Sequence, residues 1–258
     1  MKRCVSVLVV VLVAATGVSC RLTGSSQVAV GRGIACALLV DGTVRCWSPN
    51  NVGQVGDGTT EPRKVPTPVV GLDQMTQIDA GDRVVCALRA DATVRCWGSN
   101  RDGALGDGTT IDRSSPVTVV GLGDVTHLSV GGQQELGWEG VPLSIDVEGG
   151  AFACAVRDGG SVWCWGANSY GQLGDGTTDA RSAPIQVTGI TDATQVTAGG
   201  GHACARLADG TARCWGRNFR GALGDGTTTD SPTPVAVTGL GGVAQITAGE
   251  SHTCARLD

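Results

Sequence analysis

The sequence predicts an all-β fold, a β-propeller with about four full blades followed by the start of a fifth. A phrase containing Cys-Trp and Gly-Asp-Gly-Thr-Thr recurs four times, short Val-, Thr- and Ile-rich segments fill each repeat, and no window has a helical period. Four short strands per repeat without helices are typical of propeller blades, which bury their faces by stacking around an axis. The full copies align at 28–77, 78–127, 146–195 and 196–245, and a partial copy occupies 246–258.

In the second copy the predicted strands begin at "TQIDAG", "VVCALRA", "TVRCWG" and "SPVTVVGL", and Gly, Asp, Asn and Pro separate them. Eighteen extra residues, 128–145, stand between copies two and three. Their edges are ambiguous, because "LSVGG" and "DVEGG" both resemble the opening of a unit. We treat 128–145 as an insertion.

The composition narrows the function classes. The net charge is −5, so a nucleic-acid surface, which requires clustered Lys and Arg, is disfavoured. An apolar content of 41% permits a buried core even though 41 of the 258 residues are glycine. The charge neither requires nor excludes a protein partner.

Residues 1–19 predict a signal peptide, because a basic start precedes an apolar run of eleven residues, too short to span a hydrocarbon core of about 30 Å. The segment ends in "TGVSC", which resembles a bacterial lipobox with Cys20 as the lipidated residue. Gly17 stands where that motif prefers Leu, so ordinary secretion is the alternative. We expect an extracytoplasmic protein, either secreted or anchored to the cell envelope through Cys20, with 20–27 as a short linker.

The Cys-Trp-Gly phrase, the "ALGDGTT" phrase and the "AGxxHxCA" opening resemble the repeats of the regulator of chromosome condensation family, in their secreted bacterial form, over residues 28–258. The resemblance implies a ring that typically has seven blades, which needs roughly 350 residues at this repeat length. We therefore expect an incomplete ring and a fragment of a longer propeller, with a small closed ring as the alternative.

The resemblance also bears on function. The namesake of the family is a guanine-nucleotide exchange factor for a nuclear GTPase, and a similar secreted propeller inhibits a β-lactamase through one face. We expect a non-catalytic scaffold for protein–protein or cell-surface interaction, without cofactor or nucleic acid. An exchange factor or a secreted enzyme inhibitor is the alternative, and a hydrolase is disfavoured because no acid–base group is evident.

The cysteines after Cys20 follow the repeat. Paired cysteines are ten residues apart and straddle a turn such as Val40-Asp41-Gly42, which places them opposite each other in a hairpin. We predict disulfides Cys36–Cys46, Cys86–Cys96, Cys154–Cys164 and Cys204–Cys214. Unbridged core cysteines are the alternative, and Cys254 lacks a partner. Copies two and three have different turn residues, so we expect their turns to differ.

The polar residues of the repeat favour structural roles. His202 and His252 occupy a slot filled elsewhere by Ile34, Val84 and Phe152, so it is a packing position and not a metal or catalytic site. The aspartates of "GDGTT" are interpreted as turn residues, with a calcium site as the alternative: Asp57, Asp107, Asp175 and Asp225.

Two tryptophans depart from the repeat. The recurrent ones are predicted to pack between blades: Trp47, Trp97, Trp165 and Trp215. Trp163 replaces an arginine of the other copies, and Trp138 lies in the insertion. We hypothesise that both belong to a partner surface. The alternative is a tolerated loop and a tryptophan that covers its own strand.

Overall fold

A computed structural model describes residues 24–132 and 150–258, and every regular element in these ranges is a β-strand. The strands are β1 (Ser25–Gly31), β2 (Ile34–Leu39), β3 (Val44–Ser48), β4 (Arg63–Pro68), β5 (Met75–Ala80), β6 (Val84–Arg89), β7 (Val94–Gly98), β8 (Arg113–Thr118), β9 (Val125–Gly132), β10 (Ala151–Arg157), β11 (Val162–Gly166), β12 (Arg181–Gln186), β13 (Ala193–Ala198), β14 (His202–Leu207), β15 (Ala212–Gly216), β16 (Ser231–Ala236), β17 (Val243–Ala248) and β18 (Thr253–Leu257). Within these ranges no helix has the length and apolar character to cross a bilayer.

The strands form antiparallel blades in chain order. Blades one to four are the four-stranded sheets β1–β4, β5–β8, β9–β12 and β13–β16, and β17 pairs with β18 in a two-stranded sheet. Neighbouring sheets contact through the first strand of each sheet, which we call the inner strand: β1, β5, β9, β13 and β17. The described sheets do not close into a ring. The predicted propeller with four full blades, the start of a fifth and an incomplete ring is confirmed.

The blade boundaries differ slightly from the sequence copies. Strand β1 begins at Ser25, so part of the expected linker 20–27 is strand. Strand β9 runs from Val125 to Gly132, so the first five residues of the expected insertion 128–145 belong to the inner strand of blade three. Leu128 and Val130 explain this outcome, because both alternate positions turn an apolar side chain into the core. Residues 1–23, with Cys20, and 133–149, with Trp138, lie outside the described ranges.

Each predicted cysteine pair lies across the second and third strands of a blade. Cα atoms of paired cysteines are 4.0–4.1 Å apart and their sulfur atoms 2.05–2.12 Å apart, which fits disulfide bonds. All eight cysteines are buried. In the chain-entropy description, closing a loop of this length stabilises each blade by about 2.5–3 kcal/mol.

The turn between the paired cysteines has the same form in blades one, two and four, and blade three departs from it at one position. The residue two positions before the third strand has positive φ in every blade: +78° at Gly42, +64° at Ala92, +81° at Gly160 and +78° at Gly210. In blade three the preceding Gly159 also has positive φ, +84°. The expectation of a different turn is therefore wrong for copy two and confirmed for copy three. The Ala92 amide donates to the Arg89 carbonyl at 2.9 Å. This hydrogen bond of the turn holds Ala92 in a left-handed conformation that alanine disfavours.

The recurrent tryptophans join neighbouring blades. Trp97, Trp165 and Trp215 are fully buried, and each indole N–H donates to a backbone carbonyl of the preceding blade at 2.9–3.0 Å. Trp47, in the first described blade, is half-buried. The predicted packing between blades is confirmed for the three buried tryptophans.

The inner strands are joined by glutamine clamps. Gln77 accepts from the Leu128 amide at 3.1 Å and donates to the Leu128 carbonyl at 2.6 Å. Gln195 makes the same two bonds to Ile246. His127 occupies this slot in blade three, and its buried Nδ1 has no hydrogen-bond partner. The interface between blades three and four therefore lacks one clamp.

Candidate functional site

One face of the blades carries the longest loops. In antiparallel blades, the connection from first to second strand and that from third to fourth strand leave from the same end. The latter loop spans 49–62, 99–112, 167–180 and 217–230 in the four blades. We call this end the long-loop face. The disulfide-linked hairpin turns, such as 40–42, lie at the opposite end.

A buried asparagine holds each long loop. Asn100 is fully buried; its Oδ1 accepts from the Leu105 amide at 2.9 Å, and its Nδ2 donates to the carbonyls of Thr109 and Ile111. The equivalent asparagines make the same contacts: Asn50, Asn168 and Asn218. Sequence reasoning missed them, although an asparagine stands in that slot in all four copies.

The aspartates of "GDGTT" act within the same loops. Asp107 accepts from the amide and hydroxyl of Thr109 at 3.0 and 2.7 Å and pairs with Arg113 at 2.8 Å. Burial acts to raise the pKa of Asp107, but the bonds from Thr109 and Arg113 outweigh it and lower that pKa. The geometry fits the turn interpretation. Among the described residues no group of three or more His, Cys, Asp or Glu side chains converges as a metal site.

Four side chains on the long-loop face form what we call the arginine–aromatic patch: Tyr170, Arg217, Phe219 and Arg220. The Arg217 guanidinium lies 4.5 Å from the ring centre of Tyr170 and 4.3 Å from that of Phe219. Arg220 lies 5.0 Å from the Phe219 ring. Phe219 is 49% exposed, and Tyr170 is partly exposed. Two cations and two rings are therefore ordered against one another at the surface.

The patch arises where the repeat varies. Its members flank the buried Asn168 and Asn218, which fix the loop backbone. The slot of Phe219 holds Asn51, Arg101 and Ser169 in the other blades. The slot of Tyr170 holds Val52 and Asp102 in blades one and two. The scaffold residues repeat while the exposed ones change, which is the pattern expected of a recognition surface on a rigid frame.

Close approach at Gly201 helps to place the patch. A Cβ atom at Gly201 would lie 3.0 Å from Cδ2 of Tyr170 and 3.4 Å from the Arg217 side chain. The two side chains therefore rest on the connection between β13 and β14. That connection and the long loops of blades three and four together support the patch.

The structure does not bring Trp163 to this face. Trp163 follows the turn at 158–160, at the opposite end of blade three, and the Arg157 guanidinium lies 5.6 Å from its ring centre. It is half-buried and packs against the core between blades two and three. Its role at a partner surface stays a prediction. Trp138 is outside the described ranges. Strand β9 ends at Gly132 and strand β10 begins at Ala151, and both of these strand ends lie at the long-loop face.

The inner strands line an axial cavity of about 550 Å³. Asp79 borders it, and its carboxylate accepts from the Val130 amide at 2.8 Å and the Ser129 hydroxyl at 3.0 Å. Burial raises the pKa of Asp79. Both partners belong to the next blade, so Asp79 connects inner strands.

His202 is buried and packs in blade four, as its slot predicts. Burial and the nearby His252 lower the pKa of His202 to about 4. Its Nε2 lies 2.9 Å from the Thr253 hydroxyl of the neighbouring sheet. His202 therefore lies in the interface between blade four and the sheet of β17 and β18.

Comparison with known proteins gives consistent matches. The family model described as "Regulator of chromosome condensation (RCC1) repeat" matches residues 41–88, 91–135, 159–206 and 209–256, and a second model of that description matches four shorter segments. Human WBSCR16 is 23% identical with a TM-score of 0.75, over 92% of this chain and 59% of that one.

Prp20p from Saccharomyces cerevisiae, described with its binding to Gsp1p and histones, is 19% identical with a TM-score of 0.71, over 90% of this chain and 55% of that one. The same yeast protein bound to Kap60 matches at 18% identity and a TM-score of 0.72, over 90% of this chain and 54% of that one. The chain thus spans little more than half the length of these solved chains. Identities this low establish the fold alone.

Proposed function

Because the chain belongs to the regulator of chromosome condensation repeat family, we propose that it is a non-catalytic scaffold that binds a protein partner through the long-loop face. The arginine–aromatic patch is the observation that carries the proposal. Tyr, Phe and Arg are enriched in protein interfaces, and ordered rings lose little conformational entropy on binding. Solved relatives of the fold bind proteins, which supports a protein partner in general.

The patch also indicates the chemistry of the partner. It presents two arginines in a chain of net charge −5. Guanidinium groups bind carboxylates in a bidentate manner, and exposed rings bury apolar area. A complementary surface therefore carries carboxylates around an apolar centre.

We further propose that the protein acts outside the cytoplasm, either secreted or lipid-anchored at Cys20. The four disulfide-distance cysteine pairs support an oxidising compartment. The predicted signal peptide at 1–19 supports the same compartment. No specific observation in the described residues favours exchange activity or enzyme inhibition over binding.

The test uses substitutions that the chain already tolerates in equivalent slots. Arg217→Ala copies Ala167, Phe219→Ser copies Ser169, and Tyr170→Asp copies Asp102. Partners captured by the mature protein from the producing cell's envelope are identified, purified and titrated against each variant. Loss of a central arginine or aromatic contact costs about 2 kcal/mol or more, so Kd is expected to rise at least about thirtyfold.

Asn51→Ala and Val52→Ala provide the matched control, because they alter the equivalent slots of blade one. They are expected to leave Kd unchanged. Equal affinity of the patch variants and the wild type, with unchanged unfolding transitions, would refute the role of the patch.

A further inference from the structure

The hairpin end of blade three departs from the other blades at two slots of the repeat. Asp158 occupies a turn slot that is apolar elsewhere: Val40, Ala90 and Ala208. Trp163 occupies a slot on the following strand that is an arginine elsewhere: Arg45, Arg95 and Arg213. At this end blade three therefore gains a carboxylate and an indole and lacks a cation that the other blades carry.

Two further aspartates lie beside the same turn. Asp124 directly precedes β9, and its carbonyl accepts from the Asp158 amide at 2.7 Å. Asp192 directly precedes β13, and a Cβ atom at Gly160 would lie 2.6 Å from the Asp192 Cα atom. The slot of Asp124 and Asp192 is uncharged in the other connections between described blades: Gln74 and Gly242. Among the four described blades, blade three alone has an aspartate in this slot on both sides of its turn.

Trp163 and these aspartates form what we call the acidic–tryptophan surface: Asp124, Asp158, Trp163 and Asp192. The three aspartates are exposed, and the indole is half-buried. Arg157 lies at the edge of this surface, because it pairs with Asp124 at 3.3 Å and its guanidinium is 5.6 Å from the ring centre of Trp163. Three carboxylates therefore surround one indole with one guanidinium among them.

The arginine–aromatic patch has the complementary composition. It holds the guanidinium groups of Arg217 and Arg220 against exposed rings, whereas the acidic–tryptophan surface holds carboxylates around a ring. Guanidinium groups pair with carboxylates in a bidentate manner, and aromatic rings pack favourably against one another. The patch lies at the long-loop face and the acidic–tryptophan surface at the opposite end, so one copy is able to present each to a different neighbour.

The exposure of the patch is a property of its slots. The residues in the slot of Phe219 are exposed in blades one to three, although a further blade follows each of them: Asn51, Arg101 and Ser169. Tyr170 and Arg217 lie between blades three and four, both of which have described neighbours on either side. Phe219 therefore owes its exposure to its slot and not to the position of blade four.

We propose that the protein associates with itself head to tail, the acidic–tryptophan surface of one copy binding the arginine–aromatic patch of the next. The aspartates pair with Arg217 and Arg220, and the Trp163 indole packs against the rings of Tyr170 and Phe219. Because the two surfaces differ, each added copy leaves one of each free, and the assembly is an open stack rather than a closed dimer. This inference rests on the proposed function, since it names a second copy as the partner of the patch.

The test is sedimentation velocity of the mature protein at increasing concentration. The exposed Cys254 thiol is alkylated, so that intermolecular disulfides do not contribute. We expect the average mass of the wild type to rise beyond that of a dimer as the concentration increases.

Two variants each remove one of the two surfaces. The patch variant is Arg217→Ala with Phe219→Ser, and the end variant is Asp158→Ala with Trp163→Arg. All four introduced residues already occur in the equivalent slots of other blades: Ala167, Ser169, Ala208 and Arg213. Each variant alone is expected to self-associate with a Kd at least about thirtyfold higher than the wild type, because a central contact is lost.

An equal mixture of the two variants is the decisive sample. The end variant keeps its patch and the patch variant keeps its acidic–tryptophan surface, so the mixture is expected to form a one-to-one dimer and to grow no further. A mixture that stays monomeric, or that grows beyond a dimer, would overturn the proposal. Val40→Ala with Asn51→Ala alters the corresponding slots of blade one and is expected to associate like the wild type.

The result is separable from that of the proposed function. A wild type that stays monomeric at every concentration, while the patch variant loses affinity for a captured partner of another kind, would overturn self-association and leave the partner-binding role of the patch standing. A patch variant that retains both self-association and binding to the captured partner would overturn both proposals.

Discussion

The missing clamp at His127 gives a prediction in which a substitution stabilises the protein. His127→Gln is expected to restore the two bonds that Gln77 makes to Leu128, now from blade three to the inner strand of blade four. Each net hydrogen bond contributes about 1 kcal/mol, and the substitution also removes a buried nitrogen without a partner. We expect unfolding to require about 2 kcal/mol more free energy.

The assay is urea unfolding followed by tryptophan fluorescence. The midpoint is expected to rise while the denaturant slope stays constant, because the surface exposed on unfolding hardly changes. Gln77→His is the matched control and is expected to lower the free energy of unfolding by a similar amount. An unchanged or lower midpoint for His127→Gln, together with a neutral Gln77→His, would refute the clamp.

The increase in the free energy of unfolding caused by His127→Gln is also expected to depend on pH. Burial lowers the pKa of His127 below its ordinary 6.5, so the unfolded chain binds more protons than the folded one below that pH. Stability from the neutral ring is present above the unfolded pKa and is lost as the pH falls. The advantage of His127→Gln is therefore expected to be larger at about pH 5 than at about pH 7.5.

Three further predictions concern single residues. Ala92→Gly relieves a left-handed φ of 64° and is expected to raise the free energy of unfolding by about 1 kcal/mol; a lower urea midpoint would contradict it. Asn100→Ala leaves buried loop groups without partners and is expected to cost about 3 kcal/mol, so a cost below about 1 kcal/mol would show that the loop is held otherwise. His202→Val removes a buried imidazole whose pKa is lowered to about 4, so the loss of stability between about pH 7 and pH 5 is expected to become smaller; an unchanged pH dependence would contradict this.

The repeat made the fold and the cysteine pairing predictable. Fixed spacing identifies equivalent slots, and the ten-residue separation around Val40-Asp41-Gly42 sets the register in which Cys36 faces Cys46. Ala92 shows the limit of this reasoning. A residue that disfavours the left-handed region suggests another turn, but the bond from the Ala92 amide to the Arg89 carbonyl holds Ala92 in the turn that Gly42 and Gly210 adopt.

The candidate site was less predictable. Trp163 differs from the other copies, yet it lies half-buried at the opposite end from the long loops. Tyr170 and Phe219 differ just as much, but they are almost fifty residues apart, and only the stacking of blades three and four brings both rings to Arg217. Contacts between blades are absent from the linear pattern of one repeat, so sequence reasoning did not assemble the patch.

Site-specific photo-cross-linking tests the central claim, partner binding at the long-loop face, most directly. A photoreactive phenylalanine analogue replaces Phe219 in one protein, Asn51 in a second and Trp163 in a third, each mixed with the identified partner. The account predicts a strong cross-link from position 219 and little from position 51 in blade one. Cross-linking from position 163 alone, or equally from all three, would contradict it.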